Sequence, residues 1–479
     1  MLRRCFRWKR AHAGVSEPPS GRRRPRRGIL FILGCSLAVT AGSLWIADPD
    51  VFWHLKVGEW IVANLAVPRL DIYSWSVQGQ PWTAHQWLWE ALMYLMHSFA
   101  GIHGLWFLAF ASALTAGLLL RGALKERGVP EEKASAAGGI APLMLVGWLK
   151  PWPQAGVYAL FAAYLFLSLR RKWGARELLF TAALGLVWSN IHSTAVLFPL
   201  LLLAESLWAL IFQKDREAKK EALRSRLAAF VVAAAATLLN PHGFGLWIYA
   251  VREGLLTGNY RENIYSWMPY VFGPNVLALA FFISIIILFM AVRQGREKEL
   301  AFARAAGFWV LALFSRIYTP YAVLSTAALL GLLHFHLEAG SLRRLAAVSL
   351  AAAIVVPAIA GLPPDLETVA RKGGYPVEAA AFISRQGLAR VFNDHGWGGY
   401  LIWKEIPVFI DGRNDVYGPV LEDFINLHKT DRPLGEAVAE TGAGTVLTRA
   451  RETRDLSLRE SALWQEVYRD EDAVVYVKK

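Results

Sequence analysis

Residues 48–56 read DPDVFWHLK, so two carboxylates, an imidazole and an amine follow directly on a long apolar run. Carboxylates supply hard oxygen ligands for a divalent cation such as Mg or Mn, or accept a proton as general base. A D-x-D is a frequent pattern, and around Pro49 its plain reading is a turn. The aromatic residues, His54 and Lys56 that follow favour a chemical reading of Asp50 and Asp48, as catalytic carboxylates or as metal ligands. PWTAHQWLWE (81–90) adds His85 and Glu90 on what reads as an interfacial helix or, more plainly, a solvated polar face. Further polar motifs stand at the edges of apolar runs: KPWPQ (150–154), SNIH (189–192), LNPHGFG (239–245), NIYSWMP (263–269) and SRIYTP (315–320). They contribute Lys150, Gln154, Asn190, His192, Asn240, His242 and Arg316. Lys150 and Arg316 suit a phosphate, which arginine binds bidentately; the plainer reading is snorkelling to a membrane surface. No H-x-x-x-H or C-x-x-C spacing supports a zinc centre.

These groups need a scaffold, and the composition says which kind. Hydrophobic residues make up 55% and charged residues 19% of the 479, where soluble domains sit nearer half and a quarter. Apolar runs of the length needed to cross a bilayer recur. Eleven spans are expected, at 28–47, 103–120, 135–149, 154–169, 178–189, 195–212, 227–240, 273–292, 302–315, 319–336 and 344–362. The first follows a basic tail, residues 1–27, and reads as an uncleaved anchor. With that tail inside, the inner segments and their boundaries hold 30 of the 51 Lys and Arg, and the outer loops before residue 364 hold six. That is the positive-inside bias. It accounts for most of the +13 net charge without a nucleic-acid partner. On this topology the polar motifs all fall on the outer face, where they define one outward cavity. Glu205 is left mid-span, lining that cavity or pairing with a neighbour. Residues 364–479 also fall outside and read as a small α/β domain with strand-like runs such as IPVFI, GTVLT and DAVVYV.

DPDVFWHLKVGEWIVANLAVPRLDIYSW with PWTAHQWLWEAL resembles the first outer loop of polytopic proteins in the C-type glycosyltransferase superfamily, including the dolichyl- and polyprenyl-phosphate-mannose-type transferases. The resemblance continues through PWPQ, WSNIH, TLLNPHGFG, IYSWMP and, in the tail, VFNDHGWGGYLIWKEIPVFIDGRNDVYG. It implies a catalytic acid just after the first span, which ranks Asp50 first and Asp48 second. Superfamily members often show HEW where this chain has HQW, so Gln86 replaces a carboxylate and weight shifts to His85 and Glu90.

The expected fold is therefore an α-helical polytopic membrane protein of about eleven spans, with a first outer loop over 48–102, a membrane domain over 28–363 and a small extracytoplasmic α/β domain. The expected activity is transfer of a sugar from a polyprenyl-phosphate-type donor to an extracytoplasmic glycan, lipid or protein, in a bacterial inner membrane. The candidate cofactor is a divalent cation, Mg or Mn, with Asp50 able to act with or without it. Rival readings are a transporter or lipid-carrier translocase, which would favour ionisable residues at the bilayer midplane, and an inactive scaffold of the same fold.

Overall fold

The computed structural model describes residues 24–45, 48–170, 173–255, 276–296, 299–427 and 433–479. The basic tail up to residue 23, the 263–269 motif, residues 46–47 of the first expected span and 273–275 of the eighth lie outside them. Helices cover the expected segments: Arg24–Ala41, the second half of Trp87–Glu126, Glu131–Met144, Pro153–Ser168, Ala175–Ile191, Leu197–Phe212, Arg216–Thr237, Val276–Arg293, Leu300–Phe314, Thr319–Leu332 and Ala339–Ala360. About twenty apolar residues are needed to cross a hydrocarbon core. Among the described residues, Trp87–Glu126, Ser193–Phe212 and Gly340–Ala360 meet that length, while Pro153–Ser168, Ala278–Arg293 and Leu300–Phe314 are apolar but shorter. The long Trp87–Glu126 helix is broken at Ala100 and Gly101, the latter at φ +57°. A glycine takes that left-handed conformation without a Cβ penalty, and the break separates a polar-edged first half carrying Glu90 from an apolar second half.

Glu205 is a fastener inside the bundle. The Tyr164 hydroxyl donates to it at 2.8 Å, Arg226 Nε lies 3.0 Å away and Arg304 Nη1 lies 3.4 Å away. Arg304 also donates to Ser168 Oγ at 2.6 Å. A carboxylate in an apolar bundle is costly unless paired, and this node ties four helices together. The mid-span charge that a transport route would have used is committed to structure.

The first loop opens with helix Pro49–Asn64. Its DPD start is a helix signal rather than a turn. Asp48 is the N-cap and accepts from the Asp50 backbone N–H, Pro49 occupies the first turn, and Leu65 closes the helix in the left-handed region. A capping carboxylate satisfies an otherwise orphaned donor. Gly58 lets this helix lie flush on the next, since a Cβ there would strike the Glu90 carbonyl.

The segment after residue 363 contains a four-stranded sheet of β1 (Val391–Asn393), β2 (Thr445–Arg449), β3 (Trp464–Arg469) and β4 (Ala473–Lys478), in the order β1-β2-β4-β3. β1 and β2 run parallel; the other pairs are antiparallel. This sheet segment is stitched to the first loop. Val408 donates to the Tyr73 carbonyl at 3.2 Å and accepts from Trp75 N–H at 2.9 Å, and the Trp75 indole donates to the Val391 carbonyl at 3.0 Å. Phe52 packs among Tyr375, Tyr400 and Trp403, with ring centroids 5.0–5.6 Å apart. First loop and tail thus share one hydrophobic core.

Candidate functional site

Where helix Pro49–Asn64, the 82–90 stretch, the bundle and the tail meet, they line a cavity of about 380 Å³. Helix Pro49–Asn64 contributes Asp50, Trp53 and His54 from one face, three and four residues apart, the spacing that aligns side chains on a helix. Of the residues singled out in the sequence, Asp50, His54, His85, Glu90, Gln154 and His192 line this cavity, as does Gln86.

Asp50 accepts a hydrogen bond from the Trp53 indole at 3.0 Å. Burial pushes its carboxyl up to about 7, the nearby Asp48 charge adding to the rise and the Trp53 bond opposing it. A carboxyl poised near neutrality suits a general base. His54 Nδ1 lies 2.9 Å from Glu90 Oε1, and burial holds the His54 imidazole well below its ordinary range, in the neutral form. The other Glu90 oxygen, Oε2, is buried with no hydrogen-bond partner among the described residues. His85 stacks edge-on against His192 and lies against Tyr249; burial lowers it to about 4. The histidines are therefore uncharged walls of the cavity.

The remaining candidates sit elsewhere. Asp48, besides capping its helix, forms an ion pair with Lys150 at 2.8 Å, so its rank as fallback base conflicts with two structural duties. Lys56 pairs with Glu59 at 2.8 Å and Glu405 at 2.6 Å. Asn190 accepts from the Trp87 indole and donates to the Leu186 and Leu239 carbonyls. Asn240 closes its own turn by bonding the Thr237 and Gly243 carbonyls and the His242 N–H. His242 and the buried Arg316 lie outside the lining. Lys150 and Arg316 nevertheless flank the cavity, on the turns that present Trp148 and Trp152, and Ile317 and Tyr318.

A divalent cation does not fit Asp48 and Asp50 as they stand. The Lys150 ammonium holds one Asp48 oxygen and the Asp50 N–H the other. Among the described residues no group of three or more His, Cys, Asp or Glu is arranged to ligate a metal.

The sequence marks the tail as a cap for the cavity or a guide for the acceptor but does not single out which of its residues line the site. Gly412, Arg413, Asn414 and Asp415 form one wall, facing Tyr249 and Glu253. Arg413 is fully engaged: it bonds Asp411 through Nε at 2.9 Å and Nη2 at 2.6 Å, and Asp71 of the first loop through Nη1 at 2.7 Å. Burial alone would raise Asp411, but the Arg413 charge and hydrogen bonds hold it below its ordinary value. Gly412 leaves room for the reacting carboxylate: a Cβ there would meet Asp50 Oδ1, which would have to shift, and would crowd the Trp53 indole. The signal was the polar density of DGRND itself, but its partner Asp71 lies 342 residues earlier.

Among solved structures, the chain is similar to the crystal structure of ArnT from Cupriavidus metallidurans bound to undecaprenyl phosphate, with a TM-score of 0.51 and 16% identity over 94% of this chain and 97% of that one. At that identity the likeness establishes the fold. No family model matches the chain, and no curated protein matches its sequence.

Proposed function

We propose that this protein is a membrane glycosyltransferase that moves a sugar from a polyprenyl-phosphate-type lipid to an extracytoplasmic acceptor. The observation that carries this reading is the cavity holding Asp50, with a carboxyl pushed up to about 7, in a chain of this fold. That the fold neighbour was crystallised with undecaprenyl phosphate supports a lipid phosphate as the carrier.

In the proposed step, the acceptor hydroxyl oxygen attacks the anomeric carbon as its bond to the phosphate oxygen breaks. The proton passes to the Asp50 carboxylate and the electron pair leaves on the phosphate, inverting the anomeric centre. Lys150 and Arg316, on turns flanking the cavity, would take the growing phosphate charge, Lys150 exchanging its Asp48 partner for the lipid. Aromatic walls such as Trp82 and Trp152 exclude water and offer faces for a sugar ring. This reading places eleven crossings over 28–363, the N-terminus in the cytoplasm of a bacterial cell, and both the 48–102 loop and the 364–479 domain outside the inner membrane.

The test is transfer from an undecaprenyl-phosphate sugar by the purified, reconstituted protein. Asp50→Asn should lower kcat about 10²–10⁴-fold, the usual contribution of a general base, while lipid binding persists. Unchanged transfer by this variant would overturn the assignment.

A further inference from the structure

The tail wall has no place in the transfer step above, yet it carries a carboxylate of its own into the cavity. We propose that Asp415, held by the anchored 411–415 loop, is a sugar-binding residue that fixes the hydroxyl groups of the transferred sugar opposite Asp50. This inference rests on the glycosyltransferase reading and deepens it.

The loop is built to be rigid. Arg413 clamps it to Asp71 and to its own Asp411, His395 Nε2 lies 2.8 Å from Asn414 Oδ1, and Asn414 Nδ2 donates to the Gly412 carbonyl at 3.1 Å. A side chain on such a loop is pre-organised, so it binds with little ordering cost. Asp415 shares a hydrogen bond with the Tyr249 hydroxyl.

A second observation points independently to a ligand. Glu90 is 1% exposed, lines the same cavity, and keeps Oε2 without a hydrogen-bond partner among the described residues. Gln154 Oε1 is in the same condition. Buried polar atoms in native proteins are normally satisfied, so these are polar groups awaiting a ligand: Gln154 Oε1 accepts, and burial keeps the Glu90 carboxyl raised well above its ordinary value, so that it can donate as well as accept. Carboxyl and amide oxygens among aromatic faces suit a polyhydroxylated ring, whose hydroxyls donate and whose apolar face stacks.

The two aspartates belong to different neighbourhoods. Asp50 responds to Asp48, Asp411 and Lys150, whereas Asp415 responds to Glu253 and Arg413. Burial and the Glu253 charge push Asp415 up to about 7, against the opposing Arg413 charge. Near neutrality it can both donate to and accept from a hydroxyl. The reacting carbon then lies beside Asp50, and the ring hydroxyls extend toward Asp415, Glu90 and Gln154.

The experiment is equilibrium binding to the full-length protein in nanodiscs. The probes are undecaprenyl phosphate alone and undecaprenyl phosphate carrying a hexose, an N-acetylhexosamine, a pentose or a hexuronic acid. The wild type should bind at least one sugar-bearing lipid about tenfold or more tighter than the bare lipid, equivalent to about 1.4 kcal/mol. Asp415→Asn should abolish most of that preference while leaving bare-lipid affinity unchanged, which also reports that the variant is folded. Tyr249→Phe, which keeps the shape and removes the Asp415 partner, should reduce the preference in part. Retention of the full preference by both variants overturns the inference. A wild type that binds the bare lipid but prefers none of the sugar-bearing ones overturns it too, and leaves the lipid-phosphate reading standing. A wild type that binds none of the probes overturns the glycosyltransferase reading itself.

Discussion

Replacing Arg413 by Met tests whether the tail is bolted to the first loop by charge. The Arg413 side chain is 1% exposed and its partners Asp71 and Asp411 are fully buried. Its guanidinium grips Asp411 in bidentate fashion and reaches Asp71 at 2.7 Å. The substitution leaves two buried carboxylates without their cation. Each keeps some hydrogen bonds, Asp71 from Ser74 N–H at 3.0 Å and Asp411 from the Tyr417 hydroxyl, which soften but do not replace the lost charge. Removing one partner of a buried ion pair costs about 3–5 kcal/mol. Because the clamp joins two segments locally, the loss should show as easier local opening. At 1.36 kcal/mol per factor of ten, native-state hydrogen exchange over 71–76 and 408–417 should accelerate about 10²–10⁴-fold. Exchange in the distant Glu205 helices should not change. Neutralising all three residues, Asp71→Asn, Asp411→Asn and Arg413→Met together, should restore much of the protection, since a neutral core can replace a buried ion pair at little cost. If Arg413→Met alone leaves exchange over 71–76 and 408–417 within about threefold of wild type, the clamp is not what holds the tail.

Gly412→Ala should lower kcat about 10–10²-fold with little change in melting temperature, because its Cβ displaces the Asp50 carboxylate and small misplacements at a reacting group are expensive; kcat within twofold of wild type would contradict this. Transfer should rise with pH through about 7 as Asp50 ionises, and Asp48→Asn, which still caps the helix but removes the neighbouring like charge, should move the midpoint to lower pH in a pH–rate profile. Asp50 and Asp415 both bind a proton more tightly in the folded protein than at their ordinary value of 3.8. Their contribution to stability is therefore full below pH 3.8 and lost as pH rises through about 7, and proton uptake measured on refolding near pH 5.5 checks the sign.

Local signals read well from the sequence, and long-range ones did not. Hydropathy located the helices because apolar length is written in consecutive residues. Position after the first apolar run marked Asp50, and the aromatic 82–90 stretch marked His85 and Glu90. Lys150 read as a spare cation because nothing in its own neighbourhood of sequence names Asp48, 102 residues earlier, as its partner. Asn190 and Asn240 read as pocket residues, whereas their amides close backbone turns and brace helix ends, a common use of that side chain. Asp415 escaped notice because its role depends on a fold-back that only Arg413 and Asp71 reveal.

The clamp between Asp71 and Arg413 also bears on how the chain is made. Translation delivers Asp50 early and the 411–415 wall late, and closing so long a loop is a slow folding event. Until the wall arrives, the cavity lacks its Gly412–Asp415 side and the Asp50 carboxyl lacks part of the burial that lifts it. On the proposed function, a stalled or clipped chain lacking this wall would lose transfer activity while every residue of the helical bundle stayed in place.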